Sequence, residues 1–305
     1  MKARAPGKVV MSGAYAVLEG APAVVTAVDR YVEADTSRPA ELLTPEVKAV
    51  LRDKKAPWFD ASALRSERGK LGLGSSAAIL VASYGALIAE EKKGISEADL
   101  RAAVLEPCLA AHKTAQGGGS GIDVAAAVLG GTLIASKGGK PAGTGPLVTR
   151  SIELPAGLHI EVLFAGAPAS TSELVGKVRA FKARSPHSYG GVMENLILAA
   201  QDAERAFEEG SAHDVIRALR DQLRGLTDLG EHAGIRIVTR EIARLADAAI
   251  EDDAVVIPAG AGGGDVSLYL GENPPSARLV AAFDAERQLR LGVTLGARGL
   301  HLVEE

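Results

Sequence analysis

At 305 residues, with 47% hydrophobic and 24% charged content, the chain has the make-up of an ordinary folded protein, large enough for one big domain or two. A net charge of −4 provides no global basic field of the kind nucleic-acid binding uses, although a local Lys/Arg pocket could still hold a small anion. One cysteine excludes an intrachain disulfide, and aromatics at 4% leave the core to Ala, Val, Leu and Ile.

The first residues, "MKARAPGKVVMSG", lack the apolar segment of a signal peptide, and no apolar run is long enough to span a bilayer. The expectation is a cytoplasmic protein with neither a membrane nor a nucleic-acid partner. "KVVM" at 8–11 and "AVVTAVDRYVEADT" at 23–36 are Val-rich and partly alternating, so they predict strands. Residues 37–69 are mixed and polar, with Pro39, Pro45 and Pro57, and predict no clear element. Ala77 to Ala89 carries no charge and predicts a deeply buried helix over 77–92, stopping near Gly94. Ser96 with Asp99 has the spacing of a capping box and opens a helix through about residue 115. Cys108, within the apolar "AAVLEPCLAAH", is expected to be a buried, inert thiol.

"QGGGSGID" then interrupts, and "VAAAVLGGTLIAS" continues as a short helix and a strand. The loop "KGGKPAGTGP" at 137–146 is the best boundary, dividing 1–150 from 151–305. In the second half "GLHIEVLFAG" predicts a strand, and 172–184, 189–209, 211–225 and 236–250 predict helices. "DAVVIPAGAGGGDVSLYLG" reads as strand, glycine loop and strand; "SARLVAAFDAERQLRLG" at 276–292 reads as a helix, and "LHLVEE" as a closing strand. That order suggests an α+β half with helices against a mixed sheet.

Three dense small-residue loops stand out, at Gly72–Ser76, Gly117–Gly121 and Gly260–Gly264. A single one would be an ordinary turn; three suggest backbone that must come close to something. "LGLGSSAA" sets glycines and serines directly before the buried helix, where free N–H groups and the helix dipole form an anion site. "GLGSSA" also fits the dinucleotide fingerprint, but charged "LRSERGK" stands where that fingerprint requires an apolar strand, and no GxxxxGK[ST] loop occurs. No CxxC, HExxH or EF-hand pattern is present, so a permanent metal cage is not expected.

"APGKVVMSGAYAVLEG", "KLGLGSSAA" and "IPAGAGGGD", in that order, resemble the three signatures of the GHMP kinases, named for galactokinase, homoserine kinase, mevalonate kinase and phosphomevalonate kinase. The resemblance implies a two-domain fold, an N-terminal α/β domain and a ferredoxin-like C-terminal domain, with ATP and Mg²⁺ as cofactors and a small anionic substrate. "GAYAVLEGAPAVVTAVDRYVEA", "ASALRSERGKLGLGSSAA", "AHKTAQGGGSGIDVAAA" and "GAPASTSELVGKV" resemble the phosphomevalonate kinase branch, which implies transfer of phosphate onto 5-phosphomevalonate in the mevalonate route to isoprenoids. Mevalonate kinases usually carry Glu where His112 stands, and glycine where Asp265 stands. Ala14 replaces the Glu usual in the first signature, and Ile257 and Ala259 replace a Lys and a Ser or Thr often found in the third. The alternatives are mevalonate kinase or another small-molecule kinase of the family, and a non-catalytic anion-binding relative. Diphosphomevalonate decarboxylase is opposed by the absence of its Lys-Tyr-Trp-Gly-Lys run.

By resemblance, Gly72, Leu73, Gly74, Ser75, Ser76 and Ala77 hold the ATP phosphates, and the Ser76 hydroxyl completes a Mg²⁺ shell. Read by itself, Asp123 is a helix-start carboxylate; the resemblance makes it the catalytic aspartate, acting as base or as orienting group, with Lys8 neutralising charge beside the acceptor. Tyr15, Ser120, Gly121, Ser170, Thr171, Gly260, Ala261 and Gly262 fall on the acceptor side, with His112, Arg179 and Lys182 as further candidates for its anionic end. A monomer or a homodimer is expected.

Overall fold

The computed structural model describes residues 1–51, 54–67, 69–139, 143–166 and 170–303. The chain opens on strands β1 (Lys2–Ser12) and β2 (Ala23–Pro39), then helix α1 (Pro45–Leu51) and strands β3 (Pro57–Asp60), β4 (Arg65–Ser66) and β5 (Gly69–Lys70). Three helices follow, α2 (Ser75–Glu91), α3 (Glu97–Ala115) and α4 (Ile122–Leu129), and then strands β6 (Thr132–Lys137), β7 (Leu147–Ile152) and β8 (His159–Phe164). Helices α5 (Thr171–Arg184), α6 (Pro186–Glu209), α7 (Ala212–Ala233) and α8 (Arg240–Ala249) come next. Strands β9 (Val255–Pro258) and β10 (Val266–Gly271), helix α9 (Ala277–Ala285) and strands β11 (Leu289–Leu291) and β12 (His301–Leu302) complete the order.

Residue contacts divide the chain into two units: Met1–Val9 with Val25–Leu133 and Val293–Glu305, and Val10–Val24 with Ile134–Gly292. In the first unit β12, β1, β2 and the start of β6 are successive neighbours, with β3 also paired to β2. β12 lies antiparallel to β1, Ala3 opposite Leu302. Helix α2 packs against α1, α3 and α4. Its residues Ala77, Ala78, Leu80, Val81 and Ala82 are fully buried, which is why the helix carries no charged face there. Small side chains let its neighbours approach closely, and a Cβ on Gly85 would stand 2.7 Å from the Leu300 side chain. The N-cap of α3 forms at Ser96, its Oγ accepting from the Asp99 N–H at 3.1 Å and donating to the Asp99 carboxylate at 2.7 Å.

The second unit holds a four-stranded sheet in the order β11-β8-β10-β9, and β6 and β7 as neighbours in the other sheet. Its strand pairs are antiparallel, with Leu289 opposite Phe164, Leu268 opposite Val162 and Leu268 opposite Ile257. The expected mixed sheet is therefore corrected to an antiparallel one. Leu163, Val256 and Tyr269 from its strands pack with Ile242, Leu245, Leu279 and Phe283 from α8 and α9 as one core cluster. Helices α6 and α7 pack on each other, with Gly225 leaving room for Leu196.

The helix expected over 276–292 is corrected too. Helix α9 ends at Ala285, Arg287 takes a positive φ of 55°, and Leu289–Leu291 becomes strand β11. Pairing with β8 supplies backbone partners that the helix would otherwise have given those residues. Helix α7 runs on to Ala233, past the expected residue 225, and α8 starts later, at Arg240. The polar stretch 37–69 contains α1 and β3, and Leu147–Ile152 forms the unexpected β7. Residues 140–142 of the 137–146 loop, and 167–169 of "GAPASTSELVGKV" at 166–178, lie outside the described residues.

Candidate active site

Five helices, α3, α5, α7, α8 and α9, begin on a Ser or Thr whose hydroxyl accepts from the first turn. Helices α2 and α4 do not. Each begins on a glycine in the left-handed region, Gly74 and Gly121, with no side-chain cap bond. The first turn of α2 also holds no acidic residue. The N–H groups and dipole at that end are thus directed outward without a counter-charge from the helix itself, as an anion site requires.

Burial alternates along the loop that leads in. Leu71, Leu73, Ser75 and Ala77 are buried, while Gly72, Gly74 and Ser76 are partly exposed. Of the two serines, Ser76 is therefore the more accessible. Lys8 on β1 is fastened to the loop, its N–H donating to the Leu73 carbonyl at 2.8 Å. Its side chain runs across Gly74, where a Cβ would stand 2.9 Å from Lys8 Cε. Gly74 has φ +76°, so both its conformation and its missing side chain are used.

Asp123 stands in the first turn of α4, partly exposed, its Oδ1 accepting from the Val124 N–H at 3.2 Å. Its Oδ2 lies 3.4 Å from Nε2 of His112, a buried residue near the end of α3. That spacing is within ion-pair reach, yet the geometry is not that of a hydrogen bond, and Nε2 is left without a hydrogen-bond partner. Ser120 Oγ sits 3.5 Å from the Ile122 N–H at the limit of a bond. Cys108 is buried, and burial pushes its thiol far up, so it is inert as expected.

The second unit carries the remaining assignments. Tyr15 is buried at a positive φ of 62°, a strained setting for a residue with a side chain. Its hydroxyl donates to the Ala261 carbonyl at 2.7 Å, which joins the first signature to the third glycine loop. Within that loop a Cβ on Gly262, at φ +76°, would collide with the Ile237 carbonyl. A Cβ on Gly260, at φ +88°, would stand 3.9 Å from the Val10 side chain. Ser170 is the N-cap of α5, accepting from Glu173, and Thr171 beside it is exposed. Lys182 is engaged with Glu19 at 2.6 Å, and Tyr189 donates to the same carboxylate at 2.8 Å. It serves this tie and does not stand as an open cation for a substrate. Gln222 on α7 went unread in the sequence. Fully buried, its Oε1 accepts from Ser12 Oγ at 3.0 Å and the Gly13 N–H at 2.8 Å. An amide inside the apolar stripe of a helix was the available signal.

Among the described residues no group of three or more His, Cys, Asp and Glu could cage a metal. A hydroxyl at Ser76, one carboxylate and an uncapped helix start suit an ion that keeps waters and phosphate oxygens, which is the habit of Mg²⁺. No helix among the described residues is long and apolar enough to cross a membrane.

Residues 61–131 match the model of the GHMP kinases N-terminal domain. The chain is 27% identical to a phosphomevalonate kinase of Streptomyces sp. (strain CL190), across 87% of this chain and 88% of that one. It is 27% identical to a mevalonate kinase of Pyrococcus furiosus, across 89% of each. The fold matches a structure of Streptococcus pneumoniae phosphomevalonate kinase in complex with phosphomevalonate and AMPPNP, with TM-score 0.77 at 17% identity, covering 97% of this chain and 99% of that one.

Proposed function

We propose that the chain is a GHMP kinase and, within that superfamily, a phosphomevalonate kinase, moving the γ-phosphoryl group of ATP onto the phosphate of 5-phosphomevalonate. An oxygen of the acceptor phosphate attacks the γ-phosphorus, the bond to the β-phosphate oxygen breaks, and ADP and the 5-diphosphate leave. The observation that carries the reading is the start of α2, where a glycine-initiated helix offers uncapped N–H groups with Lys8 lying across its N-cap.

Phosphoryl transfer asks mainly for position and for compensation of charge. Gly72, Leu73, Gly74, Ser75 and Ala77 form the phosphate cradle, and Ser76 contributes the hydroxyl facing the ion. Bound Mg²⁺ would neutralise phosphate charge there. Lys8 supplies the fixed positive charge. Asp123 orients the acceptor and does not need to act as a strong base. A phosphate monoester, with its second pKa near 6, is already largely dianionic at neutral pH and has little proton to give up. A hydroxyl acceptor such as that of mevalonate would ask more of the same carboxylate. Ser120 and Gly121, just before Asp123 in the first unit, stand on the acceptor side.

Mevalonate phosphorylation is the second reading, favoured by the match to mevalonate kinases over comparable lengths. Phosphorus NMR of the protein with ATP, Mg²⁺ and 5-phosphomevalonate tests the first. Paired diphosphate resonances of the product should grow in step with ADP. Inorganic phosphate alone, or no turnover, would remove it.

A further inference from the structure

The first turn of α4 and the last turn of α3 bring one acidic and one imidazole side chain together where neither has a complete set of partners. Oδ1 of Asp123 is engaged by the Val124 N–H at 3.2 Å. Oδ2 faces His112 Nε2 at 3.4 Å, and that nitrogen makes no hydrogen bond. The side chain of His112 is only 7% exposed, against 25% for Asp123. A buried polar nitrogen left unmatched is unfavourable unless something completes it. The nitrogen is buried, and the Asp123 carboxylate lies within ion-pair range of it.

The helical turn behind the imidazole is anchored. The His112 backbone carbonyl accepts from the Gln116 N–H at 3.0 Å, and the Gln116 side chain donates to Glu46 of α1 at 2.9 Å, so the turn carrying His112 is tied down. The charged groups at this turn include Lys113 of α3 itself, Asp123 of α4 and Glu46 of α1. Lying in the last turn of α3, the ring also sits at the end of a helix dipole that favours positive charge. Closing 3.4 Å to an ordinary charge-assisted hydrogen bond takes a shift of roughly half an ångström.

We propose that His112 is a positioning residue for Asp123: its Nε2–H closes on Oδ2 while Val124 holds Oδ1, which fixes the carboxylate plane presented to the acceptor. This rests on the reading of Asp123 as the group that orients the acceptor. It also gives a buried donor a task that packing alone does not. Through the same bond His112 offsets carboxylate charge that would otherwise repel an anionic acceptor.

The test compares His112→Leu, His112→Gln and Asp123→Asn, singly, and His112→Leu with Asp123→Asn together. His112→Leu should lower kcat for the phosphomevalonate-dependent reaction by roughly 10- to 100-fold while leaving the KM for ATP within about twofold. His112→Gln keeps an N–H donor near the same place and should recover most of that loss. The double variant should be no slower than Asp123→Asn alone, because the histidine acts through the aspartate. Wild-type kcat in folded His112→Leu, or additive losses in the double variant, would overturn the proposal. A second measurement does not need turnover. Nitrogen NMR of the imidazole in the wild-type chain and in Asp123→Asn should show the Nε2 resonance moving between them, and an unmoved resonance counts against the pair. If the wild type transfers no phosphate to phosphomevalonate, the functional reading fails while the NMR comparison still decides whether the two side chains are coupled.

Discussion

The side chain of Lys8 lies directly over the α-carbon of Gly74: a Cβ at that glycine would stand 2.9 Å from Lys8 Cε and 3.0 Å from Cγ. The glycine loop before α2 and the lysine are therefore one packed unit. From sequence, a side chain at Gly74 is expected to disturb ATP binding far more than the acceptor. The packing joins the two effects. Gly74→Ala should add about 1–2 kcal/mol of backbone strain at its positive φ and push Lys8 aside. The expected outcome is a rise in the KM for ATP together with a fall in kcat, each roughly 10-fold or more. In a Lys8→Met background the same substitution should do clearly less to kcat, since the lysine it displaces is already gone. Equal effects in both backgrounds, in steady-state kinetics, would separate the loop from the lysine.

Gln222 ties Ser12 and Gly13 by two buried bonds at 3.0 and 2.8 Å. Gln222→Leu leaves two donors unmatched, and a buried unmatched donor costs about 1–3 kcal/mol. Thermal melts should show a drop of roughly 2–10 °C. Gln222→Glu keeps an acceptor oxygen and should lose less. A melting temperature unchanged in the leucine variant would show that the tie carries no stability.

The tyrosines give a test at alkaline pH. Burial raises the hydroxyls of Tyr15 and Tyr189 well above the usual value, with the bond to Glu19 adding to the rise at Tyr189. Burial pushes Tyr269 up to about 12. A raised folded value means that the fold favours the protonated phenol. The stabilisation is complete below the unfolded value of about 10 and is lost as pH rises through 10 towards the folded values. Tyrosinate absorbance in the folded protein should therefore lag behind that of the denatured chain, and the melting temperature should fall as pH climbs past about 10. Tyrosines that all ionise near 10 without unfolding would contradict the burial described for them.

Much of this was legible in the chain because it is local. The charge-free run from Ala77, the Ser96–Asp99 spacing and the glycines before Ser75 and Ile122 each state their element within a few residues. What went unread depends on partners far away. Strand β11 exists through its pairing with β8, over a hundred residues earlier, while "RQLRLG" read locally continues a helix. Strand β7 alternates partial and full exposure with no buried face, so hydrophobic periodicity had nothing to mark. Gln222 meets Ser12 and Gly13 across more than two hundred residues, and one amide among apolar helix positions does not reveal that. Nor does the sequence show that Tyr15 sits at a positive φ, since the strain is imposed by the folded surroundings. His112 was visible as a histidine in place of a glutamate, but its unpartnered nitrogen beside Asp123 is a fact of packing.

The central claim, that this chain phosphorylates an acceptor already bearing a phosphate, is tested most directly by the ratio of two specificity constants. Coupled ADP release would be measured with 5-phosphomevalonate and with mevalonate, under the same ATP and Mg²⁺. A site built to bond a phosphate leaves its donors unpaired when the phosphate is missing, so kcat/KM for 5-phosphomevalonate should exceed that for mevalonate by at least ~100-fold. Comparable constants, or a preference for mevalonate, would contradict the account and leave only the likeness to the GHMP kinases.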